Sequence, residues 1–181
     1  MLDFSKNYFE LFGLPVGFVV DMDALAERYR ELQRVLHPDR FANAGEQEKR
    51  LSMQGATQVN EAYATLRDPL KRAIYLLSLH GIDIDAEKET THDAAFLMEQ
   101  LELREELEQA ARAPDPQAVV GELLDRIGAS IQSLLARMAI LFESPTPENL
   151  EAARELVRKM QFLHKLYNEA EAVEARLEDA V

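Results

Sequence analysis

The sequence predicts an all-α fold in two parts, a helical hairpin followed by an antiparallel three-helix bundle. Nearly every long segment repeats its apolar residues with the period of an α-helix. No stretch shows the sustained alternation of apolar and polar residues that is typical of a β-strand. The seven glycines and seven prolines lie mostly between the periodic segments, where such residues end or start helices.

The first part begins with a short helix and continues with the first long helix of the hairpin. We expect a turn of helix around Tyr8–Phe12 that ends at Gly13. Asp21 is a suitable N-cap for a helix that runs to about Leu36. Pro38 ends that helix, because the residue before a proline avoids the α-helical region. The apolar face of the helix consists of Leu25, Tyr29, Leu32 and Leu36.

Two further helices complete the first part, and a change of composition follows them. The apolar spacing predicts helices over about Glu46–Leu66 and Leu70–Leu79, and a glycine follows the second of them closely. Residues 82–91 are polar and acidic and lack a helical period. We therefore predict a domain boundary here, with one domain over residues 1–80 and the other over residues 81–181.

The second part contains three longer helices. The first is expected from about Asp93 to Ala111. The second and third start at Asp115-Pro116 and Thr146-Pro147, each a candidate N-cap followed by proline at the first helical position. Short links between long amphipathic helices are typical of antiparallel neighbours, which predicts the three-helix bundle.

Composition narrows the classes of function. The chain has 20 basic and 33 acidic residues, a net charge of −13, which disfavours general binding to nucleic acid phosphates. Because there are no cysteines, disulfides, thiolate metal sites and cysteine nucleophiles are excluded. No apolar run is long enough to span a membrane, and the N-terminus lacks the pattern of a signal peptide. We expect a soluble, cytoplasmic protein without a bound metal or cofactor.

The turn after the first long helix is the most informative feature of the chain. Proline forces the backbone out of the helix at His37, so its imidazole and the carboxylate of Asp39 project from a turn. An exposed carboxylate beside an imidazole suits recognition of a partner's arginine through charge-assisted hydrogen bonds. The surrounding segment 25–40 has a net charge of +1, which suits steering of an acidic partner. Its charged residues are Arg28, Arg30, Arg34 and Arg40 against Glu27, Glu31 and Asp39.

The residues of this turn alone leave other interpretations open. The turn is also compatible with an ordinary connection between two helices. A metal site at His37 and Asp39 would need further ligands, and the other histidines are scattered along the chain. A catalytic pair at these positions lacks a nucleophile at motif spacing, and the chain has none of the common phosphate-binding or hydrolase motifs.

The helix predicted from Asp93 to Ala111 carries apolar side chains on two sides. At about 100° per residue, Phe96, Leu103, Leu107 and Ala110 share one face. Leu97, Met98 and Leu101 lie on roughly the opposite side, interleaved with Arg104 and Glu105. A helix on a small bundle needs one apolar stripe. The second stripe is therefore either further core, or a face covered by the first domain, or a surface for a partner protein.

Three segments of the first part together resemble the J-domain family. They are Tyr8–Pro15 (YFELFGLP), the basic helix ending in His37–Phe41 (HPDRF), and Asn60–Leu66 (NEAYATL). The resemblance is closer still to the HscB-type co-chaperones of iron–sulfur cluster assembly, through Leu76–Gly81, Phe96–Leu107 and Val157–Leu163. It extends over nearly the whole chain and is weakest over residues 113–141. It implies a J domain at residues 1–80 and a client-binding bundle at residues 81–181.

The resemblance also implies partners and site residues. In that family the His-Pro-Asp turn engages the DnaK-type chaperone HscA and stimulates its ATP hydrolysis; the matching residues here are His37, Pro38, Asp39, Tyr29, Arg30 and Arg34. The second domain binds the scaffold protein IscU; the matching residues are Leu97, Met98, Leu101, Glu102, Arg104, Glu105 and Phe162. From pattern alone, Phe162 fits the core as well as it fits a site. Some members of the wider family carry an N-terminal cysteine module for metal, which this cysteine-free chain is expected to lack.

The expected function is therefore that of a J-type co-chaperone, which is not an enzyme. One alternative keeps the J domain and changes the client. Another is a helical assembly module in which the second domain forms an oligomer and the His-Pro-Asp turn is incidental. An enzyme that uses His37 and Asp39 as acid and base is a third, which activity without any partner protein would favour.

Overall fold

The computed structural model describes residues 5–41, 44–84, 91–110 and 112–179. This part of the chain contains seven α-helices and no β-strand, as the sequence predicts. The chain divides into two compact units, Met1–Leu76 and Leu77–Val181, called here the N-terminal and the C-terminal unit. The predicted domain boundary after residue 80 stays a prediction. None of the helices in the described ranges is long and apolar enough to cross a membrane.

The N-terminal unit is built around a hairpin of two long helices. Its elements are α1 (Tyr8–Phe12), α2 (Met22–Val35), a 3₁₀ turn (Pro38–Phe41), α3 (Glu46–Arg67) and α4 (Pro69–Leu79), the last of which continues into the C-terminal unit. α1 packs on both α2 and α3, and α2 packs along α3. The buried apolar side chains of this unit are Phe9, Phe12, Phe18, Leu25, Leu36, Val59, Ala62, Leu66, Ala73 and Leu76.

Local capping chemistry sets the helix boundaries of the N-terminal unit. The carboxylate of Asp21 accepts hydrogen bonds from the backbone N–H groups of Asp23 and Ala24, which confirms it as the N-cap of α2. Gly13 ends α1 with a φ of 65°, a left-handed conformation that glycine adopts without steric strain. The backbone N–H of Leu14 then donates to the carbonyl oxygen of Phe9, which completes a Schellman motif.

A buried arginine joins the later part of this unit to the earlier part. The guanidinium of Arg72 donates a hydrogen bond of 2.9 Å to the backbone oxygen of Leu66, near the end of α3. It also lies 5.1 Å from the ring centroid of Phe18, close enough for a cation–π interaction. Burial lowers the pKa of Arg72, and the nearby carboxylate of Asp68 opposes that shift. The start of α4 is thereby connected to α3 and to the loop before α2.

The C-terminal unit is the predicted three-helix bundle. It contains α5 (Ala94–Ala110), α6 (Pro116–Glu143) and α7 (Pro147–Glu178), and each helix packs on the other two. A three-residue link, Ser144–Thr146, joins α6 to α7, so these two helices run antiparallel. One core cluster of this unit consists of Leu103, Leu107, Ala110, Val120, Leu123, Leu124, Ile127, Ile131, Leu163, Leu166 and Ala170. Further buried apolar side chains of α6 and α7 are Met138, Leu150, Ala153, Leu156, Val157 and Met160.

The predicted starts of these three helices agree with the structure. Asp115 accepts a hydrogen bond from the N–H of Ala118, and Thr146 accepts one from the N–H of Asn149, each with proline following at the first helical position. Asp93 caps α5 rather than belonging to it, and the predicted end at Ala111 lies outside the described residues. Of the predicted linker 82–91, residues 85–90 also lie outside them. Its last residue, Thr91, is buried.

Candidate functional site

The His-Pro-Asp segment forms an exposed turn between α2 and α3. Leu36 is the C-cap of α2, and the backbone N–H of Arg40 donates to the carbonyl oxygen of His37, which closes the 3₁₀ turn that Pro38 begins. The side chains of His37 and Asp39 are 59% and 90% exposed. The prediction that both project from the turn is therefore confirmed.

The two side chains of this turn lie close enough to interact with each other. The backbone N–H of Asp39 donates a hydrogen bond of 3.3 Å to Nδ1 of His37, and a carboxylate oxygen of Asp39 lies 3.5 Å from the same nitrogen. A neutral imidazole has one acceptor nitrogen and one donor nitrogen. With Nδ1 as the acceptor, the ring proton is on Nε2. The turn thus offers a partner one exposed N–H donor beside one exposed carboxylate.

A buried serine, which sequence reasoning missed, holds the base of the turn. The hydroxyl of Ser52 in α3 donates a hydrogen bond of 2.9 Å to the backbone oxygen of Leu36, the residue before His37. Both residues are buried. A sequence signal for this contact does exist, because Ser52 is the polar member of the buried stripe of α3. The other members of that stripe are Gly55, Val59, Ala62 and Leu66.

Tyr29 stabilises the hairpin behind the turn. Its ring stacks on that of Tyr63 with the centroids 3.9 Å apart and the planes 9° apart. Its hydroxyl donates to the side-chain oxygen of Asn60 at 2.9 Å and accepts a hydrogen bond from the amide of Gln33. The structure therefore connects this predicted chaperone-binding residue to α3. The sequence gives Asn60 only as part of the Asn60–Leu66 motif and gives no role to Gln33, because these contacts depend on the pairing of the two helices.

The two predicted arginines lie beside a groove next to the turn. Arg30 and Arg34 are exposed on α2, and within the described ranges neither forms an ion pair with an acidic side chain. Arg28, by contrast, pairs with Glu31 at 3.0 Å. The groove has a volume of about 440 Å³ and lies between α2 and α3. It is lined by Arg30, Gln33, Arg34, Leu36, His37, Ala56, Val59 and Asn60.

On α5, one apolar stripe forms core and the other is exposed to solvent. Leu103, Leu107 and Ala110 belong to the core of the bundle. On the other side, Leu97, Met98 and Leu101 are 37%, 62% and 56% exposed. The alternative in which these three side chains are further core is therefore wrong. We call these three residues the α5 patch.

The charged residues predicted to border the α5 patch differ in their surroundings. Glu102 and Glu105 are exposed. Arg104 is half-buried, and its guanidinium lies 3.2 Å from a carboxylate oxygen of Glu169 in α7. Arg104 thus connects α5 to α7, whereas the two glutamates remain on the surface beside the apolar side chains.

Phe162 lies on the boundary between core and surface. It is half-buried, and its ring contacts that of Phe96 edge to face, with the centroids 6.4 Å apart and the planes at 75°. Phe96 in turn packs partly against the core of the bundle. The structure therefore joins Phe162 to the start of α5, which the sequence pattern alone could not do.

The chain is similar in sequence and structure to proteins of known name. The DnaJ domain model matches residues 7–75, and a model described as the HSCB C-terminal oligomerisation domain matches residues 92–171. The Co-chaperone protein HscB homolog of Shewanella amazonensis is 45% identical over 173 residues, which are 96% of this chain and 99% of that protein.

Solved structures agree with the sequence comparisons. Chaperone HscB from Vibrio cholerae has a TM-score of 0.86 at 43% identity, over 95% of this chain and 99% of that one. The human co-chaperone protein HscB has a TM-score of 0.85 at 33% identity, over 95% of this chain and 84% of that one. These two structures, one named chaperone HscB and the other co-chaperone protein HscB, therefore each match 95% of the chain.

Proposed function

The chain belongs to the HscB family of J-domain co-chaperones, and we propose that it stimulates the ATPase of the DnaK-type chaperone HscA and delivers the scaffold protein IscU to it. In this proposal the J domain, residues 1–80, addresses the chaperone, and residues 81–181 bind the client. The protein performs no catalysis of its own, and it delivers the client to the chaperone in the cytoplasm. The observation that carries the proposal is that one chain exposes both a His-Pro-Asp turn and the α5 patch.

The chaperone half of the proposal is supported by the chemistry of the turn and its groove. The carboxylate of Asp39 can accept hydrogen bonds from a partner's arginine, and the free N–H of His37 can donate to an acceptor on the same partner. Arg30 and Arg34 add positive charge beside them, which favours approach by an acidic surface. Pro38 starts the 3₁₀ turn that presents the two functional side chains, and Tyr29 keeps α2 aligned on α3.

The client half is supported by the exposure of the α5 patch. An apolar group with a flexible methionine and a charged border is typical of a protein interface. Leu97, Met98 and Leu101 form the apolar part, and Glu102 and Glu105 lie on the surface of the same helix. Arg104 and Phe162 join this helix to α7 through their contacts with Glu169 and Phe96. We propose that the client covers this face.

Carrying both sites on one chain gives the proposed mechanism its physical advantage. A client held by the second domain stays near the chaperone that the first domain engages. The second encounter then takes place at a raised effective concentration, without any additional contact. The ATPase of the chaperone should therefore be stimulated most when one molecule of this protein binds the chaperone and the client at the same time.

Single-turnover ATP hydrolysis by purified HscA tests both halves. The rate is measured with and without this protein, and with and without IscU. Stimulation by this protein that rises further with IscU is the expected result. If IscU does not change the stimulation, the J-domain role is supported and IscU is excluded as the client. The protein would then be a J-domain co-chaperone for a different client. No stimulation would overturn the proposal.

A second candidate function is assembly of copies of this chain. It is favoured by the description of the family model matching residues 92–171 as an oligomerisation domain. In that case Leu101→Ala should change the mass of the protein in solution, measured by light scattering, and should leave IscU binding as it was. The co-chaperone proposal expects that Leu101→Ala leaves the mass in solution unchanged and weakens IscU binding.

A further inference from the structure

The two halves of α5 are attached to the bundle in different ways. The C-terminal half contributes Leu103, Leu107 and Ala110 to the core. In the N-terminal half, which carries the α5 patch, Phe96 is the one apolar side chain that packs against this core. Apolar burial therefore holds the first turns of α5 only weakly, so polar contacts must contribute more to their position.

Lys159 of α7 makes the most direct of these polar contacts. Its ammonium lies 2.6 Å from a carboxylate oxygen of Asp93, the N-cap of α5. The same ammonium lies 5.3 Å from the ring centroid of Phe96, within the range of a cation–π interaction. The side chain of Lys159 is 16% exposed, so water screens both interactions less than at an open surface. One cation thus contacts both the N-cap of α5, Asp93, and a residue of its first turn, Phe96.

The residues just before α5 are attached to α7 as well. The hydroxyl of the buried Thr91 donates a hydrogen bond to the carboxylate of Glu155, which in turn pairs with Arg158 at 3.0 Å. The backbone N–H of Asp93 donates to the same threonine hydroxyl at 3.2 Å. Glu155 and Lys159 are one helical turn apart, so a single stretch of α7 holds the entry to α5 at two points.

We propose that Lys159 is a positioning residue for client binding: by holding Asp93 and Phe96 it fixes the first turns of α5, and with them Leu97 and Met98, in the orientation that the client recognises. The inference rests on the proposed function, since it assumes that IscU binds the α5 patch. Lys159 itself makes no contact with the client. Phe162 joins the same cluster through Phe96, which links its role to the position of α5.

The test compares Lys159→Met with Lys165→Met, a change of an exposed lysine on the same helix. Methionine keeps most of the length of the side chain, ending one atom earlier, and removes its charge. Lys159→Met should weaken IscU binding about tenfold, equivalent to about 1.4 kcal/mol, and speed amide hydrogen exchange over residues 94–101 of the free protein. Lys165→Met should change neither. Lys159→Arg, which keeps a cation, should restore most of the affinity, and stimulation of HscA without IscU should be unaffected in all three variants.

The affinity of the Lys159 variants for IscU tests the inference directly. Wild-type affinity in Lys159→Met would overturn the inference, and so would weakened binding that arginine fails to restore. If wild-type protein does not bind IscU, the proposed client role fails, and the inference about client binding fails with it. Hydrogen exchange in the free protein would then still establish whether Lys159 holds α5. If Lys159→Met unfolds the bundle, Asp93→Asn removes the same ion pair at the exposed end and should give the same loss of affinity.

Discussion

The hydroxyl of Ser52 donates a hydrogen bond to the backbone oxygen of Leu36, one residue before the exposed His37. This contact connects the N-terminal part of α3 to the turn that the proposed chaperone partner recognises. Because both residues are buried, removal of the hydroxyl would leave this carbonyl oxygen without its protein partner. The position of the His-Pro-Asp turn thus depends on a residue that is fifteen positions later in the sequence than His37.

Ser52→Ala should therefore destabilise the protein and impair stimulation of HscA. The buried carbonyl oxygen of Leu36 would lose its partner, at a cost of about 1–3 kcal/mol. Thr57→Ala is the matched control, since Thr57 makes a similar bond to Met53 on the same helix but is exposed. Urea denaturation measures the stability and single-turnover hydrolysis the function. Equal effects of the two substitutions would contradict the role assigned to Ser52.

His37→Gln should abolish stimulation of HscA and leave the fold intact. The imidazole is exposed, and it accepts a hydrogen bond from the backbone of its own turn, so few packing contacts are lost. Circular dichroism and the melting temperature should match those of wild type. His80→Gln, at an exposed histidine outside the turn, provides the control. Retained stimulation in His37→Gln would exclude the proposed mechanism.

Replacing Leu97, Met98 and Leu101 together by alanine should weaken IscU binding with little change in melting temperature. These side chains are exposed, so their removal leaves no cavity. Leu103→Ala is the contrasting variant, because that buried leucine is on the opposite side of the same helix and its loss should cost about 2–5 kcal/mol. Calorimetry measures the binding of IscU to each variant, and thermal melting measures the stability of each. A large fall in melting temperature for the triple variant would mean that the patch is buried in solution.

Affinity for HscA should fall as salt is raised from roughly 0.05 M to 0.5 M, because exposed charges are screened over this range. Arg30 and Arg34 border the groove beside the turn and are expected to account for much of that dependence. Replacing both by glutamine should flatten the salt response. Arg28→Gln is the control, since Arg28 already pairs with Glu31. If the affinity of the wild-type protein does not change with salt, Arg30 and Arg34 do not steer the chaperone electrostatically.

The ion pair at the start of α5 should contribute to stability in a pH-dependent way. The hydrogen bond from Lys159 is the largest cause that lowers the pKa of Asp93 below its ordinary value. A carboxyl group whose pKa is lower in the folded state stabilises the fold above its unfolded pKa, about 4, and loses this effect as pH falls through the folded pKa. Asp93→Asn should therefore lower the melting temperature at neutral pH, and the difference from wild type should vanish in strong acid. A difference that persists there would exclude the ion pair as its cause.

The parts of this fold that depend on local chemistry could be predicted from the sequence. Asp21, Asp115 and Thr146 are N-caps as expected, because capping involves only the next few residues. The helical pattern alone left the orientation of α5 open, because a helix with apolar residues on two sides does not reveal which side is packed. The family resemblance predicted that Leu97, Met98 and Leu101 face outward, and these side chains are exposed. Thr91 was assigned to a linker because it follows a polar segment, yet its partner, Glu155, is far along the chain.

The same distinction applies to the candidate sites. The exposure of His37 and Asp39 follows from the proline between them, so it was predictable. The hydrogen bond from Ser52 and the contacts of Lys159 required the tertiary structure, since each joins residues from different helices. The sequence pattern does not show which helices pack against each other. That packing determines which polar side chains hold a site in position.

The order of synthesis gives the contacts of Lys159 a consequence for the newly made chain. α7 leaves the ribosome after α5 and α6, and it supplies the partners of Thr91, Asp93 and Phe96. The His-Pro-Asp turn, by contrast, depends on Ser52 and the rest of α3, which are made much earlier. A chain whose translation stops within α6 would thus have the turn but not the contacts that hold the start of α5.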